Sequence, residues 1–201
     1  MEKRRSWDRL YLPDNSTHKI RSSLATRNLI VAKSAGFVAL NLTHQLLNNV
    51  GWDWSQKCKR VSTDEEPVLD FGLWKHFYYG KGVHYFEPRP AVVAYAVTAR
   101  MLANAYDMEP VELKPRQDVY CYLFKRKDTA IAAVWSYDKN YRAKINLPAS
   151  FDRTDLWGNT KNLPAGETVL ELTEEPVFLT AKAAPARISD AVMKMVFSAS
   201  Q

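Results

Sequence analysis

Apolar residues between positions 17 and 35 recur at intervals of three and four residues. This spacing places them on one face of a helix. Asn15 or Ser16 can cap the start of that helix, and Gly36 stands where a left-handed residue would end it. The sequence therefore predicts a helix over residues 17–35. The residues of its mostly apolar face are Ile20, Leu24, Ala25, Asn28, Val31, Ala32 and Ala35.

An almost unbroken apolar run, residues 37–42, follows the glycine directly. Such a run is typical of a strand that is buried on both faces, as in a parallel sheet covered by helices. A helix, a glycine and a buried strand form half of an α/β repeat. One strand cannot form such a sheet alone, because its neighbours and their hydrogen-bonding partners are missing. The pattern therefore predicts a chain that begins inside a larger α/β domain.

A long connection rich in aromatic residues spans residues 43–87. Loops of this length are usually functional or disordered, and the aromatic content argues against disorder. A second helix is predicted over residues 90–105, opened by Pro88-Arg89-Pro90. Two adjacent rows of small and apolar residues suit a helix that lies flat against a sheet. These rows are Ala91, Tyr95, Thr98 and Leu102, and Val92, Ala96, Ala99 and Ala103.

The pattern becomes that of strands after residue 106. Residues 119–124 and 131–135 are apolar or aromatic on both faces, and the polar residues between them predict a hairpin turn. Further short strands follow around residues 143–147, 170–172 and 177–179. Strands at this spacing predict an antiparallel β-sandwich that folds alone, whereas residues 1–105 should not. The remaining residues would add a short helix through Ile188, Val192 and Met195, or fray.

These elements together resemble the end of a glycoside hydrolase (β/α)8 barrel and the small β-sandwich that follows such barrels. β-Xylosidases and related retaining glycosidases carry this arrangement. The first part of the likeness rests on Lys33-Ser34-Ala35-Gly36, Asp70-Phe71-Gly72-Leu73 and Arg89-Pro90-Ala91-Val92-Val93-Ala94-Tyr95. The second part rests on Asp155-Leu156-Trp157-Gly158-Asn159, a turn at Gly166-Glu167-Thr168, and Pro176-Val177-Phe178-Leu179.

The resemblance implies an α+β chain in which a truncated barrel end is followed by an antiparallel β-sandwich. The barrel end, with its last helices, last strand and long loop, would cover residues 1–105. The sandwich would cover residues 106–182 and a tail residues 183–201.

The implied chemistry is cleavage of O-glycosidic bonds by two carboxyl groups, one acting as acid/base and one as nucleophile. In barrels of this group the two carboxyls follow the fourth and seventh strands. The fourth strand is absent from this chain. Glu2 is a nucleophile candidate only if the chain starts directly after the seventh strand; otherwise it is a surface carboxylate. We therefore expect the chain to be inactive alone.

The loop after the predicted strand carries the candidate sugar-binding residues, because barrel active sites are built by such loops. Sugar rings stack their C–H faces on tryptophan and need polar partners for their hydroxyls. Packing of the loop is the alternative for each side chain. The candidates are His44, Trp52, Asp53, Trp54 and Asp70.

Four aromatic residues of the predicted sandwich could also form a carbohydrate platform, although core packing is the commoner fate of alternating aromatics in a strand. They are Tyr120, Tyr122, Trp135 and Trp157.

Composition and charge exclude several classes of protein. The chain has 201 residues and a formal net charge of +6, and glycine and proline occur in ordinary proportions. No run of 18 apolar residues predicts a membrane span. The first 60 residues carry 11 basic and 4 acidic side chains, which indicates a solvated surface or a polyanion partner. No recognisable nucleic-acid module accompanies that charge, so a nucleic-acid partner is not predicted.

Cysteines and histidines give no metal pattern. Cys58 and Cys121 are far apart and belong to no CxxC pair, and the spacing of His76 and His84 suggests no metal site. We expect no cofactor. Residues 1–5 are not followed by an apolar stretch, so no secretion signal is predicted, although the resemblance implies a secreted or periplasmic bacterial parent.

The leading interpretation is the C-terminal part of a glycoside hydrolase, with carbohydrate as its partner and a preceding barrel as the missing piece. The alternative is a non-catalytic β-sandwich module that binds carbohydrate or supports another domain. Polyanion binding by the basic first segment is a third, weaker hypothesis. An exposed aromatic platform on the sandwich would favour the binding module, and a bare apolar flank on residues 17–105 would favour the barrel end.

Overall fold

The computed structural model describes residues 15–35, 74–78, 84–88, 90–106, 108, 111–137 and 139–199. The predicted strand at residues 37–42 lies outside the described residues. Among these residues, two helices precede the strand-rich part, and they are α1 (Asn15–Ser34) and α2 (Pro90–Leu102). Both predicted helices are confirmed, each with its end within a few residues of the expected position.

Helix α1 buries a different face from the predicted one. Val31 is 43% exposed, and Asn28 and Ala35 are also exposed. Among residues 22–34, whose burial the structure describes, the buried ones are mainly small and polar: Ser22, Ser23, Thr26, Arg27 and Ile30. The prediction was wrong because it followed hydrophobicity, whereas burial here follows the close approach of α2, which small side chains permit.

Helix α2 buries only one of its two predicted rows. Ala91, Thr98 and Leu102 are buried as expected, and Tyr95 is half-buried. The second row is wrong, since Ala96, Ala99 and Ala103 are exposed. The residues buried beside the first row are instead Ala94, Val97, Met101 and, just past the helix end, Ala105.

A two-stranded antiparallel hairpin lies within the segment that the sequence predicts as a long connection. Its strands are β1 (Trp74–Tyr78) and β2 (His84–Pro88). Aromatic β-forming residues flank Gly80 and Gly82 in the sequence, which is a hairpin signal. The predicted loop is therefore interrupted by regular structure.

The strand-rich part forms two antiparallel sheets and one helix. Its first strands are β3 (Val111–Arg116), β4 (Val119–Arg126), β5 (Thr129–Ser136), β6 (Tyr141–Leu147) and β7 (Phe151–Thr154). They are followed by β8 (Thr160–Leu163), β9 (Gly166–Leu172), β10 (Val177–Ala181), α3 (Pro185–Met193) and β11 (Val196–Ala199). One sheet has six strands in the order β3-β4-β5-β10-β7-β8, and the other has three in the order β11-β6-β9.

The two sheets enclose one hydrophobic core, which confirms the predicted β-sandwich. Strand β6 alternates buried and exposed residues along its whole length, so one of its faces is wet, as expected. The largest fully buried side chains of this core are Leu123, Phe151, Leu170, Leu172, Leu179 and Ile188. The chain is thus α+β with antiparallel sheets.

The segment predicted as a tail is part of the sandwich. The predicted helix through Ile188 and Val192 is confirmed as α3, and both side chains lie in the core. Strand β11 then pairs with β6, with Val196 opposite Lys144. The expectation that residues 106–182 fold alone therefore leaves out two elements of the sandwich.

Of the two turns predicted from sequence motifs, one is present and the other is not. Gly158 has a φ of 90°, as expected for a turn residue at that position. The turn predicted at residues 166–168 is wrong: these residues begin β9 and pair with Leu147, Asn146 and Ile145 of β6. Across the described ranges, no helix combines the length and the apolar character that crossing a membrane requires.

Candidate functional site

The nucleophile candidate and the sugar-binding candidates taken from the sequence all lie outside the described residues. The structure therefore brings none of them together, and their roles stay predictions. They are Glu2, His44, Trp52, Asp53, Trp54 and Asp70.

The outer face of the six-stranded sheet carries α1 and α2, and we call it the helix-bearing face. Strands β4 and β5 are apolar on both faces because one face lines the sandwich core and the other meets the helices. The sheet residues of this second cluster are Tyr122, Phe124, Ile131, Ala133, Trp135 and Phe178, with Tyr120 partly buried at its edge. The helix residues of the cluster are Ile30, Val97, Met101, Leu102 and Ala105.

Three aromatic rings stack on the helix-bearing face. Trp135 lies opposite Tyr120 in the β4–β5 ladder, and its ring centroid is 5.6 Å from those of both Tyr120 and Tyr122. Trp135 is 3% exposed and Tyr122 7% exposed. Burial raises the pKa of Tyr122, and the nearby Glu112 carboxylate adds to this effect. These two rings pack in a core, as the sequence favoured, and they form no open carbohydrate platform.

The two helices contact each other through hydroxyl groups. The Thr26 and Thr98 hydroxyl oxygens are hydrogen-bonded at 3.2 Å, and the Thr98 hydroxyl also lies 2.7 Å from the Ala94 carbonyl. The Lys33 ammonium lies 3.0 Å from the centroid of the Tyr106 ring. The contacts advance in the same direction along the chain, from Thr26 and Thr98 to Lys33 and Tyr106, and from this we infer that α1 and α2 run parallel.

Arg27 links α1 to the sandwich. Its guanidinium lies 3.9 Å from the Glu174 carboxylate, in the connection between β9 and β10, and its Nε donates to the Ser23 carbonyl at 3.4 Å. Burial lowers the pKa of Arg27, while the Glu174 carboxylate opposes that shift. Arginine stays protonated despite such a shift, so a buried positive charge of α1 lies beside the sandwich. No feature of the sequence pattern pointed to this pair.

The turn after β7 fits against α2. One Asp155 carboxylate oxygen accepts hydrogen bonds from the backbone N–H groups of Trp157 and Asn159, each at 2.9 Å. Trp157 is half-buried in this turn. A Cβ added to Gly158 would lie 3.2 Å from Cγ2 of Val97. The glycine is therefore needed both for its positive φ and for the close approach of the helix.

We expect Gly158→Ala to destabilise the protein by roughly 1–2 kcal/mol from the backbone alone. Crowding against Val97 should add to that loss. Gly166→Ala is the matched control, since Gly166 has a φ of 104° but open space around the position of a Cβ. Urea denaturation of the two variants measures the difference. Equal losses would show that the contact with α2 contributes nothing.

A polar cluster closes one end of the sandwich. The Tyr141 hydroxyl donates to one oxygen of Asp118, and Nε of Arg116 donates to the other at 2.8 Å. The Arg116 guanidinium also lies 4.7 Å from the Tyr141 ring centroid. Burial alone would raise the pKa of Asp118, but the hydrogen bonds from Tyr141 and Arg116 lower it below its usual range. The cluster holds a single carboxylate, and the described residues contain no group of three metal-ligating side chains.

The lowered pKa of Asp118 makes stability depend on pH. A carboxylate with a depressed folded-state pKa stabilises the protein above its unfolded-state pKa of about 3.9, and this contribution is lost as the pH falls through the folded-state pKa. Asp118→Asn should therefore lower the melting temperature near neutral pH. The difference in melting temperature between this variant and the unsubstituted chain should vanish in acid. Asp190→Asn, at an exposed helical ion pair with Lys194, is the control. A difference at Asp118 that is constant with pH would contradict the assignment.

Comparison with known proteins gives little further information. No protein-family model and no curated protein matches the sequence. Among solved structures, the chain is similar to a GH30 endoxylanase from Clostridium papyrosolvens C71, with 12% sequence identity and a TM-score of 0.36. The match covers 45% of this chain and 28% of the endoxylanase, so the chain spans less than a third of that protein. A superposition this loose does not establish a shared fold.

Proposed function

We propose that the chain is the C-terminal part of a glycoside hydrolase, in which the sandwich is a non-catalytic module that holds the last helices of a barrel in place. The observation that carries this proposal is the parallel packing of α1 and α2 on the helix-bearing face. Successive helices of a (β/α)8 barrel are parallel because a strand returns the chain between them. Residues 37–42 have the composition of that strand.

The unburied sides of the helices also support the proposal. Val31 of α1 is 43% exposed and Val93 of α2 is 45% exposed. Ala96 and Ala99, from the predicted second row of α2, are exposed as well. Each helix therefore has one face on the sandwich and a second face of small or apolar residues that is exposed. Such a second face is suited to packing on the sheet of a barrel.

The role proposed for the sandwich is to fix the position of these helices. Burial of Trp135 and Phe178 beneath the helices and the contact of Arg27 with Glu174 attach them to a sheet that is itself held in a large core. Loops at the ends of barrel strands act only when their helices hold them in place. The sandwich thus supports the active-site geometry without touching substrate.

The sugar-binding residues retain their proposed roles. Trp52 and Trp54 would stack on a sugar ring, and His44, Asp53 and Asp70 would bind its hydroxyls. Glu2 is the nucleophile only if a barrel strand directly precedes it. The acid/base carboxylate would come from the preceding barrel, so this chain alone should not turn over aryl glycosides.

The test joins this chain to whatever open reading frame precedes it and compares variants of the longer protein. Trp52→Ala and Trp54→Ala should each lower kcat/KM about tenfold, because they remove contacts to the substrate, with little change in melting temperature. Phe178→Ala should lower the melting temperature while KM is retained. Tryptophan variants that melt early and keep normal kinetics would show that both indoles only pack the loop. An upstream frame that encodes no strand–helix units would overturn the proposal.

A further inference from the structure

A polar groove lies on the outer side of the six-stranded sheet, where α2 ends and leaves the sheet uncovered. Its volume is about 420 Å³, which is within the range of small-molecule sites. Two residues of the α2 end and side chains from β4, β5, β7, β8 and β10 line it. None of these residues belongs to the helix contacts or sugar-binding residues of the proposed function, except Met101, which also packs in the helix-bearing cluster.

Three cations converge on this groove from different directions. Arg100 comes from α2, Arg126 from the end of β4, and Lys182 directly follows β10. None of the three forms an ion pair within the described ranges. Among the described residues of the lining, Asp152 is the single carboxylate, and one of its oxygens accepts a hydrogen bond from the Asn162 amide at 2.9 Å. The groove therefore carries a net positive charge that nothing described here neutralises.

Arg126 is held in position before any ligand arrives. Its Nη1 donates to the carbonyls of Arg100 and Ala103 at the end of α2, at 3.3 and 3.4 Å. These bonds fix the guanidinium at the rim of the groove, while its remaining N–H groups can donate elsewhere. A cation held in this way loses little side-chain entropy when it binds an anion.

Threonine hydroxyls supply the other polar groups. Thr129, Thr154, Thr160 and Thr180 line the groove. The Thr154 and Thr160 hydroxyls are hydrogen-bonded to each other at 2.9 Å, and Thr154 is only 3% exposed. The Thr180 hydroxyl donates to the Asp152 carbonyl at 3.4 Å, so the more accessible Thr129 and Thr160 hydroxyls are the ones that suit a ligand carrying hydroxyls as well as a negative charge.

We propose that this groove binds an oxyanion group, such as phosphate, sulfate or carboxylate, on a small hydroxylated ligand or on an acidic sugar chain. Like charges gathered around one cavity repel each other, and an anion between them removes that repulsion. Arg100 and Arg126 present planar donor pairs to the anion, and Lys182 contributes a mobile point charge.

The experiment measures binding to the whole chain by two-dimensional NMR of backbone and arginine N–H groups. The probes are sodium phosphate, polygalacturonate, and dextran as the neutral polymer, all at constant ionic strength. Phosphate should shift the amides of the four threonines with a dissociation constant of about 1–10 mM, as expected for a partly solvated site. Polygalacturonate binding at least tenfold tighter per site would identify an acidic chain as the source of the anion, and otherwise the ligand is a small anion.

The variants are Arg100→Gln and Lys182→Gln, both at exposed positions where folding should be unaffected. Each should weaken phosphate binding roughly three- to tenfold, and the double variant should abolish it. Lys139→Gln, which removes an exposed lysine outside the groove lining, is the matched control. It should bind phosphate as tightly as the unsubstituted chain does. Three results would overturn the proposal: no change in the threonine amide signals of the unsubstituted chain on adding phosphate, equal changes on adding dextran, or changes that persist in the double variant.

Discussion

Phe178→Ala should lower the free energy of unfolding by about 3–5 kcal/mol, the range for truncating a buried phenylalanine. Phe178 is 0% exposed and lies on β10, with β5 on one side and β7 on the other. Its ring fills the cluster between the sheet and the helices, so its removal leaves a cavity that neither layer can close without moving. Urea denaturation followed by circular dichroism measures the loss.

Thr180→Ala is the matched control for this substitution. Thr180 lies two residues along the same strand and on the same face, but beyond the part that α2 covers. Its hydroxyl donates only a long bond, 3.4 Å, to the Asp152 carbonyl. We expect a loss below about 1 kcal/mol. A loss for Phe178→Ala no greater than this control would show that the helices do not pack on the sheet as described.

Fragments of the chain should differ sharply in stability. A fragment of residues 106–182 lacks α3 and β11, and therefore the core side chains Ile188 and Val192, which are 1% and 0% exposed. Loss of each buried aliphatic side chain costs about 2–5 kcal/mol, which together equals the whole stability of a typical domain. We expect this fragment to be unfolded. A fragment of residues 106–201 keeps both elements and should fold.

The longer fragment should still differ from the whole chain. Without α1 and α2, the aromatic cluster around Trp135 and Phe178 is exposed on the sheet. Apolar patches of this kind bind hydrophobic dyes and promote association. Dye fluorescence and sedimentation of the fragment, compared with the whole chain, measure both effects. If the shorter fragment, residues 106–182, is monomeric and unfolds cooperatively, the prediction that the sandwich needs α3 and β11 is wrong.

The sandwich could be predicted from the sequence because its strands are short runs, either apolar throughout or alternating as in β6, that are separated by turn residues. Val119 to Phe124 and Ile131 to Trp135 are apolar on both faces, which indicated a central position with a layer on each side. The nature of the second layer did not follow from that pattern. A helical pair and a second sheet bury such a strand equally well.

The helix contacts could not be predicted from hydrophobicity. Thr26 contacts Thr98 of α2 and Arg27 contacts Glu174 of the β9–β10 connection, and both are buried, whereas polar residues at helical spacing are ordinarily assigned to solvent. The same holds for the polar groove, whose cations are separated by many residues in the sequence and meet only through the order of the strands. Charge composition placed the basic excess in the first 60 residues and therefore did not point to the groove.

Strand β10 is near the end of the chain, yet it occupies the middle of the six-stranded sheet. During synthesis, β3–β5 and β7–β8 therefore leave the ribosome before the strand that joins them. Until then they cannot belong to one continuous sheet. The edges of β5 and β7 stay open until residues 177–181 emerge and fill the gap. Open edges are templates for pairing with other chains, so nascent or prematurely terminated products should be far more prone to aggregation than the finished protein. Emergence of β10 is thus the step that closes this sheet.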